Sequence, residues 1–161
     1  VSKYGKLPGK KMAVAQGRSI HELIWCYSEL NNMANLDRTG VSFNCEAYKG
    51  EHSNLVNWMN GRQKFVRALV EYYSGDLPSP LHLLGCSLPQ EFKAYKGNSY
   101  IVSVDTSNPV VHGLKEIPYT SEGLQIKESI KLIDLFMTEP TPRQLDMIRW
   151  NTAAFRWFIN G

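Results

Sequence analysis

Ile101-Val102-Ser103-Val104-Asp105-Thr106-Ser107-Asn108-Pro109 is an apolar, β-branched run that stops on one carboxylate and turns at once. A strand ending this way presents its acid at the C-terminal edge of a sheet, the edge on which α/β proteins do their chemistry. A carboxylate there can act as a nucleophile. Its plainer role is to start the turn or to cap a neighbouring N–H. Three more apolar runs stop in the same manner, on Gln16-Gly17, on Ser42-Phe43-Asn44 and on Gly85-Cys86. Asp105 therefore reads as one corner of a shared site. His82 lies within a strand and reads as an interior histidine. Cys86 has no basic partner in sequence and reads as a small wall residue rather than a reactive thiol.

The elements that must carry these residues follow from the pattern. Met12-Ala13-Val14-Ala15 is a short strand, Gln16-Gly17 a turn, and Ser19 with Glu22 a capping box opening a helix with Ile20, Leu23, Ile24, Tyr27 and Leu30 on one face. Arg38 to Phe43 is the second strand. After a polar loop, Ser53 is expected to cap a helix carrying Leu55, Trp58, Met59, Phe65, Val66, Leu69 and Tyr73, which Gly75 ends. Leu81 to Leu84 is the third strand, followed by a short helix with Ser87 and Gln90 as its capping box and Pro89 in the first turn. Tyr100 to Asp105 is the fourth. Two further helices are expected, one from Ser121 to Met137 and one opened by Thr141-Pro142 with Gln144. Strands alternating with helices call for a parallel sheet with right-handed crossovers. Four such units plus a C-terminal helix amount to half of an eight-unit (β/α)8 TIM barrel, and 161 residues fit a single domain over 1–161.

Composition excludes little. Hydrophobic residues make up 43% and charged residues 20%, ordinary for a globular chain. The net charge of +3 is compatible with a polyanionic partner without arguing for one. Cys26, Cys45 and Cys86 form no CxxC pair and are odd in number, which argues against a disulfide framework and against structural zinc. No apolar run has the length of a membrane span and no secretory signal is present, so a reducing, cytoplasmic setting is expected. The chain begins at Val1 rather than Met, as a processed chain or a piece of a longer one would.

The strand-end motifs, taken in order, carry a resemblance. Val14-Ala15-Gln16-Gly17, Gly40-Val41-Ser42-Phe43, Leu83-Leu84-Gly85-Cys86 and Val104-Asp105-Thr106-Ser107-Asn108-Pro109 with His112-Gly113 resemble the C-terminal half of the barrel in the tRNA-guanine transglycosylase family. The match spans roughly Met12 to Gly113, and its wording is most similar to the phage and bacterial relatives that insert 7-deazaguanine bases into DNA. It departs from the family in four ways. The C-x-C-x-x-C zinc motif with its distal His is absent. The segment between Pro109 and His112 is shorter and lacks arginines. Ser42-Phe43 replaces a small pair. The N-terminal half of the barrel, which supplies another catalytic aspartate, is missing.

The resemblance implies a base exchange in a polynucleotide, DNA or RNA, in which guanine is replaced by a 7-deazaguanine such as preQ0, with no nucleotide cofactor; the missing zinc motif implies no metal. Asp105 would be the nucleophile. Gln16 would read the base edge with its amide, Gly17 would keep that turn tight, and Gly85 would let the base approach the backbone. Ser42 and Phe43 would lie at the mouth, Phe43 either stacking on the base or packing in the core. Cys86 would form pocket wall, and Asn108 and His112 would contact the nucleic acid. Lys127, Lys131, Arg143, Arg149 and Arg156 would track phosphates or simply face solvent. The missing half implies a partner, either a separate chain or a second copy. The alternative is a non-catalytic half-barrel that binds nucleic acid or stabilises such a partner.

Overall fold

The computed structural model describes residues 8–48, 54–131, 133–134 and 139–161. The chain divides into two compact units. The first runs to Gly85 and includes Gly97–Asp105; the second comprises Cys86–Lys96 and Thr106–Gly161.

The first unit is a four-stranded parallel sheet in the order β1-β2-β3-β4, that is Met12–Ala15, Arg38–Ser42, Leu81–Leu84 and Ile101–Val104. Helix α1 (Ile20–Met33) joins β1 to β2, and α2 (Leu55–Tyr72) joins β2 to β3. Parallel neighbours need such crossovers, because a tight hairpin would reverse the strand. The expected strands β1 and β3 are found at the expected residues, β2 loses its last residue and β4 loses one at each end. Alternation in β3 sorts its side chains by face. Leu81 and Leu83 are fully buried, in a core with Leu23, Tyr27, Val41, Phe65, Val66 and Leu69, while His82 and Leu84 point to the opposite face and are only half-buried. Two buried polar groups are satisfied within this core: the Tyr27 hydroxyl donates to the Ser79 carbonyl (2.5 Å), and Thr39 Oγ1 bonds Ser79 Oγ (2.8 Å).

Capping follows the sequence at α1, where Ser19 Oγ accepts the Glu22 N–H (3.1 Å) and the Glu22 carboxylate accepts that of Arg18 (2.8 Å). Ser53 lies outside the described residues; Asn54 caps α2, its Oδ1 accepting the Asn57 N–H (2.8 Å).

The second unit is helical: a 3₁₀ helix over Pro89–Tyr95, α3 (Asn108–Leu114) and α4 (Pro142–Asn160). The capping box expected of Ser87 and Gln90 does not form. Leu88 occupies the cap position without a side-chain bond, and Gln90 turns instead to the Leu124 backbone, donating to its carbonyl (2.5 Å) and accepting its N–H (3.0 Å). That bond displaces the helix expected from Ser121 onward. Gly123 sits at φ +90° in a bridge to Thr120, and no helix forms over 121–131; residues 132 and 135–137 of that expected helix lie outside the described residues. The last helix starts where expected, with the full Thr141/Gln144 capping box. Its Gln144 side chain also donates to the Leu114 carbonyl at the end of α3 (2.7 Å), and Asn151 holds Tyr119 N–H (2.8 Å) and Ile117 C=O (2.9 Å). No helix among the described residues is long and apolar enough to cross a membrane.

Candidate active site at the carboxyl ends of the strands

The first unit brings Gln16, Ser42, Gly85 and Asp105 to one edge, each at or just past the end of its strand. Strand spacing places Gln16 and Asp105 about 14 Å apart along a flat sheet, at opposite ends of a row rather than in contact.

Asp105 is the best-defined member. Its N–H bonds the Leu83 carbonyl (3.1 Å), continuing the β3–β4 ladder by one step, and its side chain remains 55% exposed. One carboxylate oxygen, Oδ1, accepts the Gly85 N–H at 2.5 Å. The other, Oδ2, lies 3.6 Å from His82 Nε2. Gly85 can aim its N–H this way because it adopts φ +64°, a left-handed conformation that turns the chain out of β3.

His82, which reads from the sequence as a satisfied interior side chain, is hydrogen-bonded at one ring nitrogen and faces Asp105 with the other. Its Nδ1 is 2.8 Å from Ser103 Oγ, and Ser103 Oγ accepts from Arg38 Nη1 (2.9 Å). Three strands contribute to this line: Arg38 from β2, His82 from β3 and Ser103 from β4. The register pairs His82 with Ser103. Neither Arg38 nor Ser103 stands out in the sequence. The alternation of β3 puts His82 on the face opposite Leu81 and Leu83, but a β-bulge between Leu81 and His82 sets its partner on β4.

The neighbouring strand ends are held from behind by Arg62. This fully buried arginine of α2 donates to the Val41 carbonyl (3.2 Å) and the Leu84 carbonyl (2.6 Å), and its guanidinium lies 4.9 Å from the Phe43 ring centroid. Phe43 is 4% exposed and meets Trp58 edge to face, so of its two expected places it takes the core one; stacking on a base would require it to leave that packing. Ser42 Oγ bonds the Asn44 carbonyl (3.3 Å). Gln16 is exposed, with its backbone N–H on Cys26 Sγ (3.4 Å), and the Gly17 carbonyl accepts from Cys45 Sγ (3.4 Å). The turn is thus fixed by its main chain while the Gln16 amide is presented to solvent.

Comparison with protein-family models, with curated proteins and with solved structures finds no match.

The remaining expected site residues belong to the second unit, where they are interior. Cys86 and His112 are fully buried and Asn108 is 2% exposed, so none offers surface to a phosphate or a base. Asn108 Nδ2 donates to the Ser87 carbonyl, and Thr106 Oγ1 donates to that of Cys86 (2.5 Å). His112 Nδ1 faces the Asn108 carbonyl (3.1 Å), an acceptor only, so Nδ1 carries the proton; the buried Nε2 makes no hydrogen bond of good geometry among the described residues. Burial pushes the His112 pKa below the usual imidazole value, against the Asn108 carbonyl, which favours the charged form. The adjacent Tyr119 hydroxyl is pushed up by burial alone. His112 and Asn108 thus lie inside this unit, where the expectation had them contact nucleic acid. No group of three or more His, Cys, Asp or Glu that could hold a metal ion occurs among the described residues.

Proposed function

We propose that this chain is one half of a base-exchange transglycosylase of the (β/α)8 type, with Asp105 as its nucleophile. One observation carries the reading. A half-exposed carboxylate stands at the carboxyl end of β4, anchored through one oxygen by Gly85 N–H and flanked at the other by His82. The strand-end motifs in their order, and a sheet whose strand order never reverses, are the supporting arguments. A doubly wound sheet places its site at a reversal of strand order; a barrel half has none, and its site lies along the whole carboxyl edge.

The reaction asks little of the surroundings. Asp105 forms an O–C1′ bond as the C1′–N9 bond to guanine breaks, the logic of a retaining glycosidase. Guanine leaves with the bonding electrons and takes up a proton. The incoming 7-deazaguanine loses its own proton, attacks C1′ and releases the carboxylate, so the cycle is neutral in protons. The Gly85 N–H, held on Oδ1, stabilises the carboxylate each time it is expelled. The exposed Gln16 amide, donor and acceptor together, suits the edge of either base. A base in a duplex must first be flipped out. The other half of the barrel, as a separate chain or a second copy, completes the pocket.

The test is covalent capture. The chain, alone and with candidate partner halves, is incubated with a guanine-containing oligonucleotide and preQ0, then denatured. Wild type is expected to give a protein–oligonucleotide adduct and Asp105→Asn none, although an amide oxygen can still accept the Gly85 N–H and keep the fold. An adduct that survives Asp105→Asn overturns the assignment.

A further inference from the structure

We infer that His82 is a positioning residue held in one tautomer, with its proton on Nε2 toward Asp105, by the Ser103 hydroxyl and the Arg38 guanidinium. Arginine has donors and no acceptor, so in the 2.9 Å contact Ser103 Oγ must accept. The hydroxyl then has one proton of its own to give, and the base it faces at 2.8 Å is His82 Nδ1. With Nδ1 accepting, the ring proton of neutral His82 sits on Nε2, 3.6 Å from Asp105 Oδ2. The reverse tautomer is opposed twice: it would aim an Nε2 lone pair at a carboxylate, and it would leave the hydroxyl proton without the acceptor that geometry supplies.

Polarity therefore runs one way along the line, from Arg38 through Ser103 and His82 to Asp105. Gly85 N–H is hydrogen-bonded to Oδ1, and the imidazole N–H faces Oδ2 across 3.6 Å, a polar contact rather than a hydrogen bond, before any substrate arrives. This orients the side chain on an otherwise open strand end and fixes which lone pairs remain free. Under the transglycosylase reading, on which only the kinetic half of this inference rests, those free lone pairs meet C1′.

The tautomer can be read without any substrate. In the 15N-labelled chain, long-range proton–nitrogen correlations assign the protonated ring nitrogen of each of the four histidines. His82→Gln identifies the His82 signals by their loss. At neutral pH the expected result is a protonated Nε2 and a bare Nδ1, lost in Ser103→Ala and in Arg38→Met and retained in Ser103→Thr. A proton on Nδ1, whether in the other neutral tautomer or in an imidazolium, overturns the inference. So does an unchanged spectrum in Ser103→Ala. The kinetic half uses the oligonucleotide-plus-preQ0 probe. Ser103→Ala is expected to slow adduct formation about tenfold, the worth of one hydrogen bond, with Ser103→Thr restoring it. Equal rates in the three proteins refute the positioning role. An Nε2–H tautomer in a chain that never forms an adduct would sink the transglycosylase reading and leave the tautomer standing.

Discussion

Gly85 and Asp105 share a single hydrogen bond, and the backbone that makes it is one that only glycine adopts at little cost. The left-handed φ of +64° would strain any other residue there. Space is not the obstacle, since a Cβ would lie 3.9 Å from that of Phe43, an ordinary contact. Gly85→Ala should therefore cost about 1 kcal/mol in urea unfolding, through backbone strain alone. A loss of several kcal/mol would mean that a clash had been missed, and no loss that the turn relaxes freely. His112 makes a different kind of statement. Its folded-state pKa lies below the 6.5 of free imidazole, so between those two values the unfolded chain binds the extra proton. Stability is fully present above about 6.5 and falls as the pH drops toward the folded value. Urea midpoints measured across this range should decline in wild type and flatten in His112→Gln; parallel curves would remove His112 as the cause. At this scale Asp105 and Gly85 were legible, because a strand that ends on an acid or a glycine announces itself locally. The Arg38–Ser103–His82 line was not, because it depends on the cross-strand register of β2, β3 and β4, which no local pattern encodes.

Elements were legible where their signals are local and self-consistent. Ser19 and Thr141 cap the helices they precede, and the apolar runs of β1 and β3 end where a turn residue stands. The helix expected from Ser121 failed for a non-local reason. Its apolar spacing was helical, but a side chain 34 residues earlier, Gln90, takes the Leu124 C=O that a helix would have bonded to the following turn, and binds the Leu124 N–H as well. Leu124 is 7% exposed, so removing Gln90 leaves a buried donor and a buried acceptor without partners. Gln90→Ala should then destabilise by roughly 2–3 kcal/mol, well beyond the few tenths expected of a surface substitution. Circular dichroism adds a sharper readout: if the helical propensity of this segment is merely suppressed by Gln90, the variant gains helix signal as it loses stability. A variant as stable as wild type would show that the two bonds contribute nothing.

At the scale of the whole molecule the sheet raises the question of what it pairs with. Parallel sheets are normally covered on both faces and their ends closed or protected. Among the described residues β1 pairs only with β2 and β4 only with β3, so both outer strands keep a free ladder edge, with Met12 (44%) and Val102 (48%) exposed upon them. Neither carries the lysine, proline or inward-facing charge that blunts such an edge in β1 or β4 themselves, whose residues are Met-Ala-Val-Ala and Ile-Val-Ser-Val. The proposed half-barrel with a partner would account for this, because closure removes edges altogether. The proposed function then predicts a coupling between mass and activity: base exchange should elute only in species heavier than the 18.3 kDa chain. Val102→Lys places a charge on the β4 edge, away from Asp105, Gly85 and His82 in sequence, and should shift the protein toward 18.3 kDa in light scattering, with a melting temperature that falls as the assembly is lost. Exchange should fall in proportion to the heavier species lost, and raising the protein concentration should recover both together. An 18.3 kDa monomer that exchanges guanine unaided would show that the carboxyl edge is complete in one chain, and the requirement for a second half would go with it.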